Sequence, residues 1–445
     1  MAIIKQQTFF SWKNFQDDIQ TIGDLERLKL VIETIPDGDL MRTLRVLRGR
    51  GRNDYPIEAI WNSILAGIVY EHVSIESLRR ELNRNAQLRE ICGFDPVLGI
   101  KAVPSKSAYN RFLKKLLAHE PIVRNMFNSL VKEMIVIFPD FGTNLAGDGK
   151  AIHSFGKPSK ENGQDKRREK DADWGNKTYH SVNKDGKCWE KIKSWFGFKV
   201  HLIVEADSEI AVAYKVTKAS TGEQPVMREL FAELKEAHPE LIARCVHCML
   251  DKGYDSKDMI CDLWNTYGIK PVIDIRNMWK DGEKTKQLNA EKIKNVSYDY
   301  KGTVFCHCPK TGEIRQLAYG GFEKNRETHK YLCPALAYGI DCQGAKWCSA
   351  HKKALRISLN ENPRIFTPVA RSSYKWQDLY DKRTSVERVN SRIDMSFGFE
   401  RHYIRGLQKM NLRCGLALTV MLAIAVGRLR QKHPELMRSL VKSVA

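Results

Sequence analysis

Tyr380 to Glu387 reads YDKRTSVE: a tyrosine, an arginine three residues on, and a glutamate four beyond that. A helix turns about 100° per residue, so positions i, i+3 and i+7 share one stripe, and here the stripe is polar where a packing face is apolar. Read as a single helix, the segment predicts a site lined by Tyr380, Arg383 and Glu387. Two aspartates upstream have the company to complete it. Asp148 in LAGDGKAI and Asp251 in CVHCMLDKGYDS each follow a short apolar run that reads as a buried strand. Between the aspartates lie 102 residues, and between Asp251 and Glu387 lie 135, room for an inserted subdomain ahead of the helix.

Taken singly these residues are ordinary. An Asp after a strand is usually a turn or cap residue, and Glu387 alone would serve as a surface partner of Arg383 or Arg388. Their conjunction, with GDG around Asp148 and D-x-G-Y around Asp251, resembles the DDE transposases of bacterial insertion sequences, in the branch marked by a Tyr, Arg, Glu, Lys helix signature. The resemblance runs from about Ile57 to Arg430. It implies an RNase H-like catalytic core in which Asp148, Asp251 and Glu387 hold two Mg2+ (or Mn2+) ions, Asp148 bridging and the other two each completing one site. Tyr380 and Arg383 would then grip phosphate oxygens. The substrates it implies are double-stranded DNA, the element's terminal inverted repeats and the target, with cleavage in trans by a homodimer and release through a DNA hairpin. The signature's final Lys would fall at position 394, which is Asp394. Arg388 and Arg392 stand close by as candidates for the basic role and for DNA contact.

Bulk charge agrees with a polyanionic partner. Lys and Arg total 73 against 53 Asp and Glu, a net +20 in 445 residues, while 42% hydrophobic content is ordinary for a globular chain of two or three domains. Met1 to Gln20 carries no apolar run behind a basic start, and Cys414 to Val426 is shorter than the roughly 20 residues that span a bilayer. The expectation is a cytoplasmic, nucleoid-associated protein with no membrane partner and with reduced thiols.

Along the chain, residues 1–135 have helical periodicity, with helices expected at Ile57 to Ile68, Ile75 to Ile91 and Lys106 to Leu117. Arg42, Arg45 and Arg48 crowd this part and are candidate DNA contacts, a solvated face being the plainer alternative. From Asn144 strands take over: LAGD, WFGFKVHLIVE (Trp195 to Glu205), EIAVAYKV (Glu209 to Val216) as its hairpin partner, CVHCML and KPVIDI. Helices at Gln224 to Ala237 and Lys257 to Tyr267 intervene. Pattern alone gives an α/β class. Gly156 to Lys177 is charged and reads as a surface loop. Lys199 and His201 share one strand face; Lys199 is a candidate DNA contact, with a structural lysine and a satisfied histidine as equal alternatives.

The divisions expected are a helical DNA-binding domain at 1–135, the first part of the core at 136–284, a cysteine-containing, β-rich insertion before the catalytic helix at 285–372, and completion of the core at 373–445. Within the insertion, Cys306, Cys308, Cys333, Cys342 and Cys348 fall within 43 positions, beside His307 and His351. Cys308, Cys333, Cys342 and Cys348 would close a tetrahedral structural Zn2+ site, stapling a segment with little apolar material of its own. Free thiols in a small β subdomain are the alternative. Two rivals to a transposase use the same residues: a catalytically silent DNA-binding protein on this scaffold, and a metal-dependent nuclease that cannot join strands.

Overall fold

The structure is a computed structural model and describes residues 23–50, 54–158, 169–182, 188–288, 294–348, 350–351 and 354–438. Met1 to Gln20 and most of the charged run after Gly156 therefore lie outside the described residues. The chain divides into two compact units, one drawn from Met1–Phe141, Gly149–Gly222 and Val386–Ala445, the other from Gly142–Asp148 and Glu223–Ser385.

The first unit opens with helices α1 (Gly23–Thr34), α2 (Gly38–Arg48), α3 (Ile57–Val69), α4 (Ile75–Arg84), α5 (Ala86–Cys92), α6 (Lys106–Ala118) and α7 (Glu120–Ile137). Pro56 stands at the N-cap of α3, and the Ser105 hydroxyl caps α6 by accepting from the Ala108 N–H at 3.2 Å. The single helix expected from Ile75 to Ile91 is in fact two. Asn85 ends α4 in an extended conformation and its side chain accepts from the Leu88 N–H at 2.9 Å, so one residue closes one helix and caps the next. Gly93, left-handed, ends α5.

Strands β2 (Asp173–Val182), β3 (Cys188–Glu205) and β4 (Ile210–Lys218) form antiparallel neighbours in the same unit. Asp173 to Lys177, expected as loop on composition, are strand instead. Their backbone pairs with β3 from Gly197 to Lys193, and Gly175 lies flat beneath the Trp195 ring, where any Cβ would collide. The helix α14 (Leu407–Arg430) packs on α7, α1 and β4. It is long and apolar enough to cross a bilayer by length and composition, more so than the Cys414 to Val426 run suggested. Most of it is buried among the chain's own residues. Arg428 ties it to α1 by a paired bond to Glu26 at 2.5 and 2.7 Å.

In the second unit, the first residues of β1 (Asn144–His153) run parallel to β5 (His247–Leu250), which runs parallel to β6 (Lys270–Ile273). Helices α8 (Glu223–Ala237), α9 (Pro239–Arg244) and α10 (Lys257–Cys261) connect them. β1 itself begins in this unit and ends in the other.

Beyond β6 come two small antiparallel sheets. One orders β7 (Lys286–Gln287), β8 (Val296–Tyr298), β9 (Val304–His307) and β10 (Ile314–Gln316); the other orders β11 (Ala318–Glu323), β12 (Thr328–Leu332) and β13 (Leu355–Ser358). These strands have a core of their own, in which Val296, Val304, Tyr331, Ile357 and Phe366 are fully buried with Cys348. The expectation of a segment poor in apolar material is corrected on this point. Its strands run to only two to six residues, too short for periodicity to show in sequence.

Candidate active site

Asp148 and Asp251 are brought side by side by strand register. Gly147 pairs with Leu250 across parallel β1 and β5, so the next residue along each segment is an aspartate, Asp148 within β1 and Asp251 just past β5. Neighbouring strands lie about 4.8 Å apart and in-register side chains share a face. The two carboxylates therefore stand together where the parallel pairing stops: Asp251 directly follows β5, whereas Asp148, expected at a strand end, lies midway along β1, which continues to His153. Gly147 makes the approach close: a Cβ there would meet Leu250 at 2.8 Å and Met227 of α8 at 2.9 Å.

The loop after Asp251 is pinned from several directions. The Gly253 N–H donates to the Asp251 carboxylate at 2.7 Å, the closeness that a side chain at 253 would spoil. The Gly253 carbonyl accepts from Gln224 at 2.8 Å and from the Arg276 guanidinium at 2.9 Å. Asp255, buried, takes both nitrogens of a fork from Arg364 at 3.0 and 2.6 Å and the Arg276 N–H at 2.8 Å. DKGYDS thus holds one aspartate half-exposed and spends the other on structure.

Tyr254 lies at the centre of this cluster. It is fully buried, and its hydroxyl makes no hydrogen bond among the described residues. Burial, then the charges of Glu223, Asp148 and Asp251, push its phenol far above the ordinary range, so it stays a protonated donor. Sequence reading left Glu223 without a role and passed over Tyr254. An orphaned hydroxyl amid three acidic side chains suits a hydrated hard cation: Mg2+ keeps several waters and needs only one or two carboxylates plus substrate oxygens. Among the described residues no group of three or more His, Cys, Asp or Glu forms a closed metal cage, and Mg2+ does not require one.

The segment that opened the sequence reading is not one helix. α12 (Tyr374–Asp381) stops and α13 (Thr384–Phe397) begins after a turn at Lys382 and Arg383, where the Arg383 N–H bonds to the Tyr380 carbonyl at 2.9 Å. Tyr380 and Arg383 still meet, the guanidinium 5.7 Å from the ring centre. Burial pushes the Tyr380 phenol up, with Arg383 opposing. Glu387 is exposed in the first turn of α13.

The other basic candidates are mostly engaged. Arg388 and Arg392 both donate to the buried carboxylate of Glu209, Arg388 at 2.5 Å, and Arg438 joins them at 3.3 Å. Lys199 is buried, donating to the Thr221 carbonyl at 3.2 Å, and His201 bonds Thr217 at 2.9 Å. On α2, Arg42 pairs with Asp39 and Arg45 with Glu58, both arginines remaining largely exposed beside Arg48.

The cysteines do come together. The Cys306 thiol is pushed up to about 11 by burial and then by Cys348, Cys333 and Cys342, and Cys333 lies 3.5 Å from His351 Nδ1. Among the described residues Cys308, Cys333, Cys342 and Cys348 form no group that could hold a metal ion, and the zinc expectation finds no support there. The shared apolar core supplies the order that the staple was invoked to explain. Cys308 differs from the rest. The hydroxyl and N–H of Thr311, with the N–H groups of Lys310 and Gly344, stabilise its thiolate and pull it down to about 7. Alkylation by iodoacetamide should therefore strike Cys308 first, with a rate midpoint near pH 7, while dialysis against EDTA leaves the melting temperature unchanged. A drop of several degrees in EDTA would restore the staple.

Two family models match the chain: a transposase DDE domain over residues 165–423, more than half of the sequence, and a second transposase domain, DUF772, over residues 13–115. No curated protein matches. Among solved structures, a cryo-EM structure of the piggyBac transposase synaptic complex with hairpin DNA is similar at 12% identity and a TM-score of 0.37, covering 94% of this chain and 79% of that one.

Proposed function

Because this chain belongs to the DDE transposase family, we propose that it is an insertion-sequence transposase that binds terminal inverted repeats, cleaves to free 3′-hydroxyls and joins them to target DNA by direct transesterification. The observation that carries this reading is the in-register pair Asp148 and Asp251, with Glu223 beside them around the buried Tyr254 hydroxyl. Carboxylates borne on adjacent parallel strands are what an RNase H-like core offers, and the family pattern nominates Glu387 as a further metal ligand.

These carboxylates would hold Mg2+ or Mn2+, which would supply Lewis acidity toward a water and the phosphate oxygens. The protein's own groups do the rest. Gly253 fixes the Asp251 carboxylate before substrate arrives, so little reorganisation remains to be done. Tyr254 contributes a donor hydroxyl that can hold a water or a carboxylate oxygen in place. Tyr380 and Arg383 grip the phosphate by a hydroxyl and by charge-assisted bonds. The charge of +20, with the exposed Arg42 and Arg45 and the half-buried Arg48, draws the duplex in. A homodimer cutting in trans is part of the proposal.

The test is incubation of the full chain with DNA carrying the repeats that flank its gene, plus a divalent cation and a target plasmid. Nicked ends with 3′-hydroxyls and joined products are expected. Cleavage without joined product would leave a nuclease, and a gel shift without cleavage would leave a silent DNA-binding scaffold.

A further inference from the structure

Asp394 lies seven residues beyond Glu387 on α13, two turns along the same stripe. Its carboxylate forms an ion pair with the ammonium of Lys150. Lys150 stands two residues after Asp148 on β1, so the two side chains project from one face of that strand. The lysine is enclosed, its side chain 13% exposed against 23% for Asp394. An ammonium carries three N–H donors, and Asp394 is its one hydrogen-bond partner among the described residues. Enclosure has stripped hydration from a charge that the protein satisfies only in part.

A structural ion pair would be the plain explanation, yet α13 is already fastened. Arg388 and Arg392, on the neighbouring stripe, anchor it to Glu209, and Val386, Val389, Ile393 and Phe397 bury its apolar face. Those arginines are spent on that anchor, whereas Lys150 keeps donors in reserve next to a carboxylate of the site.

We propose that Lys150 binds a phosphate oxygen of the DNA strand at the reacting end, and that Asp394 is a positioning residue that aims its ammonium. The proposal rests on the transposase reading above. In the DNA-free protein Asp394 holds the lysine in one rotamer. When DNA arrives, the two remaining donors meet the phosphate without a search through the lysine's rotamers, and little side-chain entropy is lost.

The experiment compares the wild type with Lys150→Met, Asp394→Asn and the double variant Lys150→Met/Asp394→Lys, each as the full chain on terminal-repeat DNA with Mg2+. Lys150→Met should slow cleavage by about 10- to 100-fold, the range for a lost charge-assisted bond, and lower the log–log salt slope of DNA binding by about 0.9, one phosphate contact. Asp394→Asn should slow cleavage by about tenfold with the slope unchanged, since the charge stays and only its aim is lost. The double variant should recover the slope and most of the rate, because an ammonium returns from the opposite partner. A Lys150→Met protein with the wild-type slope overturns the proposal, as does a double variant no better than Lys150→Met. Wild-type protein that binds but never cleaves sinks the transposase reading instead, and the slope still decides the role of Lys150.

Discussion

Asp148→Asn, Asp251→Asn and Glu387→Gln each lower the rate of terminal cleavage by about 10³-fold or more, the scale on which losing one preorganised electrostatic group acts, and leave DNA affinity within a few-fold of wild type. The amide substitutions are chosen to isolate charge. An asparagine at 251 keeps an oxygen that accepts from the Gly253 N–H, so the loop held by Gln224 and Arg276 stays where it is. What disappears is the anionic ligand. Binding survives because it draws on the basic surface, of which these residues are no part. The check is single-turnover cleavage at saturating DNA beside a gel-shift titration. A variant that still cleaves within tenfold of wild type does not belong to the site.

Loss of Glu209 has the largest expected effect on stability. Its carboxylate is buried, and burial works against its charge, but bonds from Arg388 and Arg392 outweigh that and hold the group below the usual carboxylate range. Removing it takes from the enclosed Arg392 guanidinium its carboxylate partner, and breaking a buried pair from one side costs about 3 kcal/mol or more. Glu209 also sits at φ 57°, in the left-handed region where a side chain costs about 1 kcal/mol. Glu209→Gly should therefore unfold at a higher temperature than Glu209→Ala, although both fall well below wild type. Because its folded pKa is depressed, Glu209 stabilises the chain above the unfolded value of about 4.3. That contribution is lost as pH falls through the folded value. Equal melting temperatures for wild type and Glu209→Ala would show that the arginines find other partners and that the clamp carries no weight.

Sequence reading found those features whose cause is local. Asp148 and Asp251 each follow an apolar run, and a run of that kind becomes a strand wherever it is buried, so Asp251 could be placed at a strand end without knowing the partner strand, while β1 continues past Asp148 into GKAIH, which no apolar run announces. Register then came from pairing, which no local pattern records. The break at Lys382 and Arg383 was invisible for the opposite reason: YDKRTSVE holds no Gly or Pro, and the turn is made by bonds to residues three back. Arg388 and Arg392 read as free basic side chains because their partner lies 179 and 183 positions away. The core around β7 to β13 escaped notice because it is assembled from residues scattered from Ile275 to Phe366, Val296 and Tyr331 among them, and its strands run to six residues or fewer.

The pairing of β1 with β5 also sets a schedule for synthesis. Asp148 leaves the ribosome 103 residues ahead of Asp251, and closing a loop of that length costs about 4 kcal/mol in chain entropy beyond a constant term. That cost falls before any contact between the strands can offset it. Throughout this interval the helices from α1 to α7, with their arginines, have already emerged, while the carboxylate pair has not formed. A chain terminated early, by a frameshift or a stop codon before β5, therefore retains the basic helices and lacks the paired aspartates. Under the proposed function, such a product would compete with the intact enzyme for DNA ends and so restrain the copying of its own element.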